Sequence, residues 1–317
     1  MRRRAGGSDP EAEPSAAASL AAMLDRPRFL LVLATLFWAS NAIAGQLAVG
    51  EVSPMVLTFL RWSLVSVGLW ALFWRDAAPT WPVARRHAGR IIAMAAVGFA
   101  GFNALFYAAS TATTAINIGV LQGSTPAFVL AGAVLAAGAR LDRGAALGVA
   151  VTLLGVLTVA AQGAPLRLLE IGLNPGDALM LAACVCYAAY AVALPSRPAM
   201  PALAFFMWLA PCAGLAAAPL ALAEVSLGLG QAPTAQGWLI TLWIAVFPSC
   251  LSQLCFLRAV DQIGPQQAGV YGNLVPVFTP VLAVLVLGQA FHIYHAAALT
   301  LVLGGLWLAQ RGPREIA

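Results

Sequence analysis

The sequence predicts an all-α polytopic membrane protein of ten transmembrane helices, built as two inverted five-helix repeats. Three observations predict it. About ten apolar stretches, each near the ~20 residues that span a bilayer, fill the 317 residues. The end of the first half recurs about 150 positions later: Gly119, Pro126, Phe128, Gly138 and Gly155 return as Gly269, Pro276, Phe278, Gly288 and Gly305. Near the start of each half, Phe37-Trp38-Ala39-Ser40-Asn41 lines up with Cys186-Tyr187-Ala188-Ala189-Tyr190. Because five is odd, the second copy must enter the membrane from the opposite face, the geometry from which many alternating-access transporters are built.

Composition agrees. Apolar residues make up 61% and charged residues 9%, with a mean hydropathy of +0.86; soluble domains have roughly 45–50% and 25%. The net charge of +5 could suggest nucleic acid, but the positions of the arginines argue against that partner. There is no lysine, and with the N-terminus placed in the cytoplasm 15 of the 17 arginines fall on the inner side, from Arg2, Arg3 and Arg4 to Arg311 and Arg314. Only Arg167 is clearly outside, and Arg61 lies within a span. This asymmetry is the positive-inside signature, predicting both termini in the cytoplasm and an even number of spans.

Residues 1–28, rich in Ala, Gly, Pro, Glu and Arg, read as a disordered cytoplasmic tail. Span one covers 29–48; Ala42-Ile43-Ala44 resembles a signal-peptidase site, but cleavage there would remove a helix that the sixth span mirrors, so a retained helix is expected. Span two covers 54–74, and the loop from Arg75 to Arg90, with Trp81 between Pro79 and Pro82, is expected to lie at the interface through its tryptophan. Spans three and four cover 90–110 and 114–137. Span five, 144–162, completes the first repeat, 29–162. The polar break 163–175 is the linker. Spans six to ten, at 176–194, 201–223, 237–257, 264–288 and 292–310, form the second repeat, 176–310, before a short cytoplasmic tail, 311–317. Other connections are short, which makes consecutive helices antiparallel neighbours. Spans five and ten are nearly free of polar residues but carry Gly144, Gly148, Gly304 and Gly305; close backbone approach there would serve a homodimer contact or ordinary helix packing.

Pro126 and Pro276 sit near the middle of spans four and nine. Each removes a backbone donor and frees the carbonyl four residues earlier, Gln122 and Gly272. Freed carbonyls in lipid cost several kcal/mol, so both kinks should face protein or a wet cavity, and matched breaks in two halves point to a midplane site. Uncharged polar and aromatic residues gather on neighbouring spans. Asn103 and Tyr107 are four apart in span three, hence on one face; Gln122 lies in span four, Gln253 in span eight, Tyr271 and Asn273 in span nine, while Trp38 and Asn41 mirror Tyr187 and Tyr190. Such side chains can be interhelical glue, or together line a substrate cavity offering hydrogen bonds and stacking surfaces without formal charge. Arg61, the one ionisable residue deep in a span, must snorkel, pair or face water. It either attracts an anionic group of a substrate or reaches outward to Glu51 or backbone carbonyls.

What is missing narrows the function. No carboxylate occupies the core of a span: Asp177 and Glu224 sit near span ends, and proton coupling through a mid-span acid is not expected. His292 and His295 lie near an outer loop without the further ligands a metal needs, and read as surface residues. Cys184, Cys186, Cys212, Cys250 and Cys255 are in apolar spans and read as small hydrophobes. No cofactor, metal site or enzymatic activity is expected, and the partners are a small-molecule substrate and the lipid bilayer.

On Phe37-Trp38-Ala39-Ser40-Asn41, on Pro54 followed by Leu60-Arg61-Trp62, on Tyr107-x-Ala109, on the Pro126 and Pro276 helices and on the Gly-rich fifth and tenth spans, the chain resembles an EamA-type member of the drug/metabolite transporter superfamily. The resemblance implies a ten-helix inverted repeat in a bacterial inner membrane that exports amino acids or other small metabolites from a central cavity. It departs at one point: members often carry Glu after the glycine that ends spans four and nine, where this chain has Ala139 and Gln289. An importer or obligate exchanger on the same fold, or a non-transporting scaffold or lipid-handling protein, are the other readings.

Overall fold

The computed structural model describes residues 26–137, 143–164 and 174–311. The expectations for residues 1–25, Gly138, Ala139, Arg167 and 312–317, and for most of the linker, lie outside the described residues. The described residues form helices without strands, in the order α1 (Pro27–Leu47), α2 (Pro54–Ala77), α3 (Ala88–Ser110), α4 (Ala115–Ala136), α5 (Arg143–Ala160), α6 (Pro175–Ala193), α7 (Ala202–Ser226), α8 (Ala235–Ile263), α9 (Pro265–Leu287) and α10 (Ile293–Arg311). Nine of these are long and apolar enough to cross a membrane, and α10 is a tenth apolar helix of slightly shorter reach.

Local sequence sets the helix starts. Proline occupies the first helical turn of α1, α2, α6 and α9, where its missing N–H costs nothing. Thr114, Asn174 and Thr234 cap α4, α6 and α8 by accepting backbone N–H groups, and Glu224 accepts the Met55 and Val56 amides at 3.0 and 3.1 Å at the start of α2. A carboxylate suits that end of a helix dipole. The Arg75–Arg90 connection contains a short helix, Trp81–Arg86, with Trp81 half-exposed beside Trp208.

The helices pair across the two halves of the chain: α1 with α8, α2 with α7, α3 with α6 and α5 with α10. Side-chain bonds fix the relative ends. Gln46 at the end of α1 reaches Ser110 and Thr113 between α3 and α4, and meets Gln289 after α9; Glu51 accepts from Thr234 before α8. These ends share one side, here the distal side, opposite the start of α1 and the end of α10.

The glycines of α5 and α10 are used against each other. A Cβ on Gly148 would come within 2.7 Å of Ala309 Cβ, one on Gly155 within 2.8 Å of Val302 Cγ2, and one on Gly305 within 2.6 Å of the Thr152 backbone nitrogen. Of the two uses expected for these small residues, the pairing within the chain accounts for Gly148, Gly155 and Gly305, while Gly304 has open space. Gly305→Leu is expected to separate the pair and destabilise the protein by about 1–3 kcal/mol, the usual cost of overpacking. The same change at Gly304 should be close to neutral, and thermal unfolding in detergent compares the two.

The helices of Pro126 and Pro276 are both broken where expected. The first half of α4 ends at Gln122 and the second begins at Thr125; in α9 a 3-10 turn, Gly272–Leu274, separates Pro265–Tyr271 from Val275–Leu287. The Gln122 carbonyl freed by Pro126 accepts the Thr125 hydroxyl at 2.7 Å, and Cys184 of α6 points its thiol at the Leu121 carbonyl at 3.7 Å. The breaks meet: a Cβ on Gly123 would lie 3.1 Å from Pro276 Cβ, and one on Gly119 2.6 Å from Thr279 Cβ. The distal halves of α4 and α9 therefore cross in close contact. Their other halves lean apart, that of α4 on α6 and that of α9 on α8 and α1. Pro276 is buried and Pro126 exposed accordingly.

Candidate substrate-binding site

Arg61 is the centre of the polar interior. It is 6% exposed, and it neither snorkels nor pairs with Glu51, which accepts from Thr234 instead. Its Nε donates to Ser249 Oγ at 2.9 Å, and its Nη1 faces Asn103 Oδ1 and Tyr107 Oη at 2.6 Å each and Asn41 Oδ1 at 3.3 Å. Four helices, α1, α2, α3 and α8, thus converge on one guanidinium.

Each acceptor is held by a further bond. Asn103 donates its amide to the Phe99 carbonyl at 2.7 Å, which leaves its oxygen for the arginine. Tyr107 donates to Asn41 Oδ1 at 2.8 Å. Ser249 donates to the Ile244 carbonyl five residues back at 2.6 Å. Those carbonyls belong to π-helical turns or border them: Ala96–Gly101 in α3 and Ala245–Leu251 in α8. One-turn π insertions occur often at functional positions, and here two occupy equivalent places in the two halves. Gly98 lets α6 approach the first closely, because Tyr190 of α6 sits where its Cβ would be.

The charge is solvated by neutral oxygens alone. Among the described residues no carboxylate pairs with Arg61, and its Nη2 has no hydrogen-bond partner while not being sealed from solvent. The guanidinium also lies 5.1 Å from the ring centre of Trp62 and 5.9 Å from that of Tyr107, distances at which an aromatic face attracts a cation. Trp62 Nε1 is the one buried side-chain polar atom without a partner among the described residues. An aromatic path continues from Trp62 through Phe99 to Tyr190 and Tyr187, each step 5.0–5.8 Å between ring centres.

The network unites four of the residues singled out from the sequence: Asn41, Arg61, Asn103 and Tyr107. Tyr187 and Tyr190 join it through the aromatic path, and Tyr187 is 40% exposed. Trp38 packs on Phe256 at 5.3 Å, and Tyr271 packs beside the Leu30, Leu31, Ala259 and Ala268 cluster. Gln122, Gln253 and Asn273 are half-buried, and their side chains make no hydrogen bond among the described residues. Sequence reasoning missed Ser249; its only local signal was Pro248, a second helix-disturbing residue inside an apolar span. It also misread His295 as a surface residue, whereas Asp177 does lie at a span end, in the first turn of α6. Asp177 is 1% exposed and His295 3%, both buried; His292 alone is at the surface.

The profile of the EamA-like transporter family matches residues 27–161 and again 174–310, once for each half. The chain belongs to the EamA-like transporter family. It is therefore a multi-pass membrane transporter of the drug/metabolite transporter superfamily. This EamA-like chain is 23% identical over 235 residues, 71% of its length, to the uncharacterized transporter YyaM of Bacillus subtilis (strain 168), covering 74% of that protein. A crystal structure of another protein superposes with a TM-score of 0.60 over 89% of the EamA-like chain and 96% of its own, at 21% identity, a likeness of fold alone.

Proposed function

We propose that the protein is a secondary transporter that exports small polar metabolites such as amino acids by alternating access, with its ten helices forming two inverted five-helix repeats. The observation that carries this reading is Arg61: a buried cation fixed by neutral acceptors on three other helices, with one nitrogen still unpaired. A charge held in a membrane interior at such cost is a functional site by default, and a carboxylate is the group that matches an unpaired guanidinium edge. Gln122, Gln253 and Asn273 would supply neutral hydrogen bonds and Tyr187 and Tyr190 flat surfaces. Their unpaired polar groups speak against a scaffold, in which such groups would be sealed.

Two further observations support the mechanism. The cross-half pairing of α1 with α8 matches that of α3 with α6, and α2–α7, α4–α9 and α5–α10 pair like with like, as a pseudo-twofold relation demands. The crossing of α4 and α9 is closed on the distal side only. With both chain ends cytoplasmic, as the arginines indicate, this is an inward-open state in which the Arg61 site would load from the cytoplasm.

Untargeted profiling of the medium from cells with and without the protein tests the reading. One or more anionic or zwitterionic metabolites should accumulate outside only when it is present, and reconstituted vesicles should release the same compounds. An unchanged medium together with inert vesicles would remove the exporter assignment.

A further inference from the structure

On the distal side a cavity of about 500 Å3 is lined by Gln46, Thr113, Asn117, Gln289, His292 and His295, among others. Behind its wall lies Asp177, in the first turn of α6. Thr113 donates to Asp177 Oδ1 at 2.5 Å, and Asn117 Nδ2 lies 3.3 and 3.4 Å from the two carboxylate oxygens. On its other side Asn117 Oδ1 faces His295 Nε2 at 3.2 Å, and His295 Nδ1 accepts the His292 backbone N–H at 3.0 Å. Since Nδ1 is an acceptor, the imidazole proton is on Nε2. The chain of bonds runs in one direction, from a backbone N–H through a neutral histidine and an amide to a carboxylate. It ties α4 of the first half to α6 and α10 of the second.

No cation faces Asp177 from the described residues around it. The turn 111–114 and α4 present Thr113 and Asn117, α1 presents Gln46 and the end of α9 Gln289; α10 brings His295, with His292 and Tyr294 beside it. Asn174 caps α6 through the Gly176 and Asp177 amides. Arg167 and Glu170 of the linker lie outside the described residues. The arrangement is therefore strongest while Asp177 is ionised and His295 neutral. A proton on Asp177 removes the charge to which Thr113 and Asn117 are directed. A proton on His295 places an N–H on Nδ1 against the His292 N–H, where two donors repel. Either event loosens the same tie.

We propose that Asp177 and His295, joined through Asn117, form a proton-binding site that controls the distal gate, so that protons are a coupling ligand of this transporter. The inference rests on the alternating-access reading but not on Arg61 or the direction of transport. Its test is a distance measurement in the absence of substrate. Spin labels at Thr111→Cys and Ala290→Cys, both exposed, are introduced into full-length protein lacking its native cysteines and reconstituted in lipid nanodiscs. From about pH 8 to about pH 3.5, a range that takes in the ordinary values of histidine and of carboxylates, the pair should gain a longer-distance population as the gate unties. The double variant Asp177→Asn, His295→Gln should show one distribution at all pH values, while Arg61→Gln should retain the shift. An unaltered distance in the parent protein, or a shift that survives in the double variant, overturns the proposal. So does loss of the shift in Arg167→Gln, because Asp177 would then be the structural partner of that arginine. Should the double variant not fold, His295→Gln alone must move the midpoint, and an unmoved midpoint is equally fatal. A pH-dependent gate in a protein that exports nothing would instead defeat the exporter reading and leave this one standing.

Discussion

Arg61→Gln is expected to lower the flux of an anionic or zwitterionic substrate roughly 10- to 100-fold, the equivalent of about 1.5–3 kcal/mol for hydrogen bonds to a charged group, while the protein stays folded. Glutamine is the informative substitute because its amide can still donate toward Asn103 and Tyr107, which otherwise face Arg61 Nη1 at 2.6 Å each. Alanine would leave the Asn103 and Ser249 oxygens without their donor in the interior, at about 1–3 kcal/mol for each unsatisfied group, and would mix a stability defect with a binding defect. The comparison is made in vesicles with one anionic and one neutral compound found to be carried. A charge-dependent site predicts that the anion loses far more than the neutral compound. Equal loss for both would identify Arg61 as a structural tie between α1, α2, α3 and α8, and unchanged flux would remove it from the site.

Gly119→Val and Gly269→Val, at matched positions of the two halves, are expected to behave differently. At Gly119 the new side chain would begin 2.6 Å from Thr279 Cβ and 3.3 Å from Pro280 Cδ, on the face where α4 crosses α9. Overpacking there costs about 1–3 kcal/mol in this conformation, enough to move a two-state population about 5- to 160-fold. The variant should melt earlier, or favour a state in which the distal crossing is open. Gly269 has nothing within 4 Å of its would-be Cβ, so Gly269→Val should leave thermal stability almost unchanged. If the halves exchange roles during transport, however, Gly269 must enter the corresponding crossing in the opposite state, and its valine variant should lose turnover despite its normal stability. Melting curves and vesicle flux on the same preparations separate the cases. Equal stability losses at both positions would contradict the one-sided closure.

The residue pattern carried the helix order and both helix breaks, because burial in lipid leaves a one-dimensional record: about 20 apolar residues per crossing, and proline where a backbone donor is missing. It also carried part of the site. Asn103 and Tyr107 were legible as a pair because helical spacing alone puts them on one face. Ser249 was not, since its availability to Arg61 depends on a π turn that sequence periodicity does not mark, and on α8 coming to lie against α2. His295 looked like a surface residue, and the burial of Asp177 was not legible, for a similar reason. Distance from the helix end says how deep a residue sits, whereas the burial of Asp177 comes with Thr113, in the turn before α4, and Asn117 of α4, which approach it from the other half of the chain.

By itself the sequence determined that this protein spans a membrane many times, that it carries the same unit twice, and that one arginine has to find partners away from lipid. Those are consequences of hydrophobicity and repetition along the chain. Only the tertiary structure decided that the partners of Arg61 are neutral, that the glycines of α5 and α10 serve each other, and that α4 and α9 close on one side and part on the other. Each of these depends on which helix faces which, and that is settled by side-chain packing between separate segments, more than a hundred residues apart in the chain for Gly119 against Thr279.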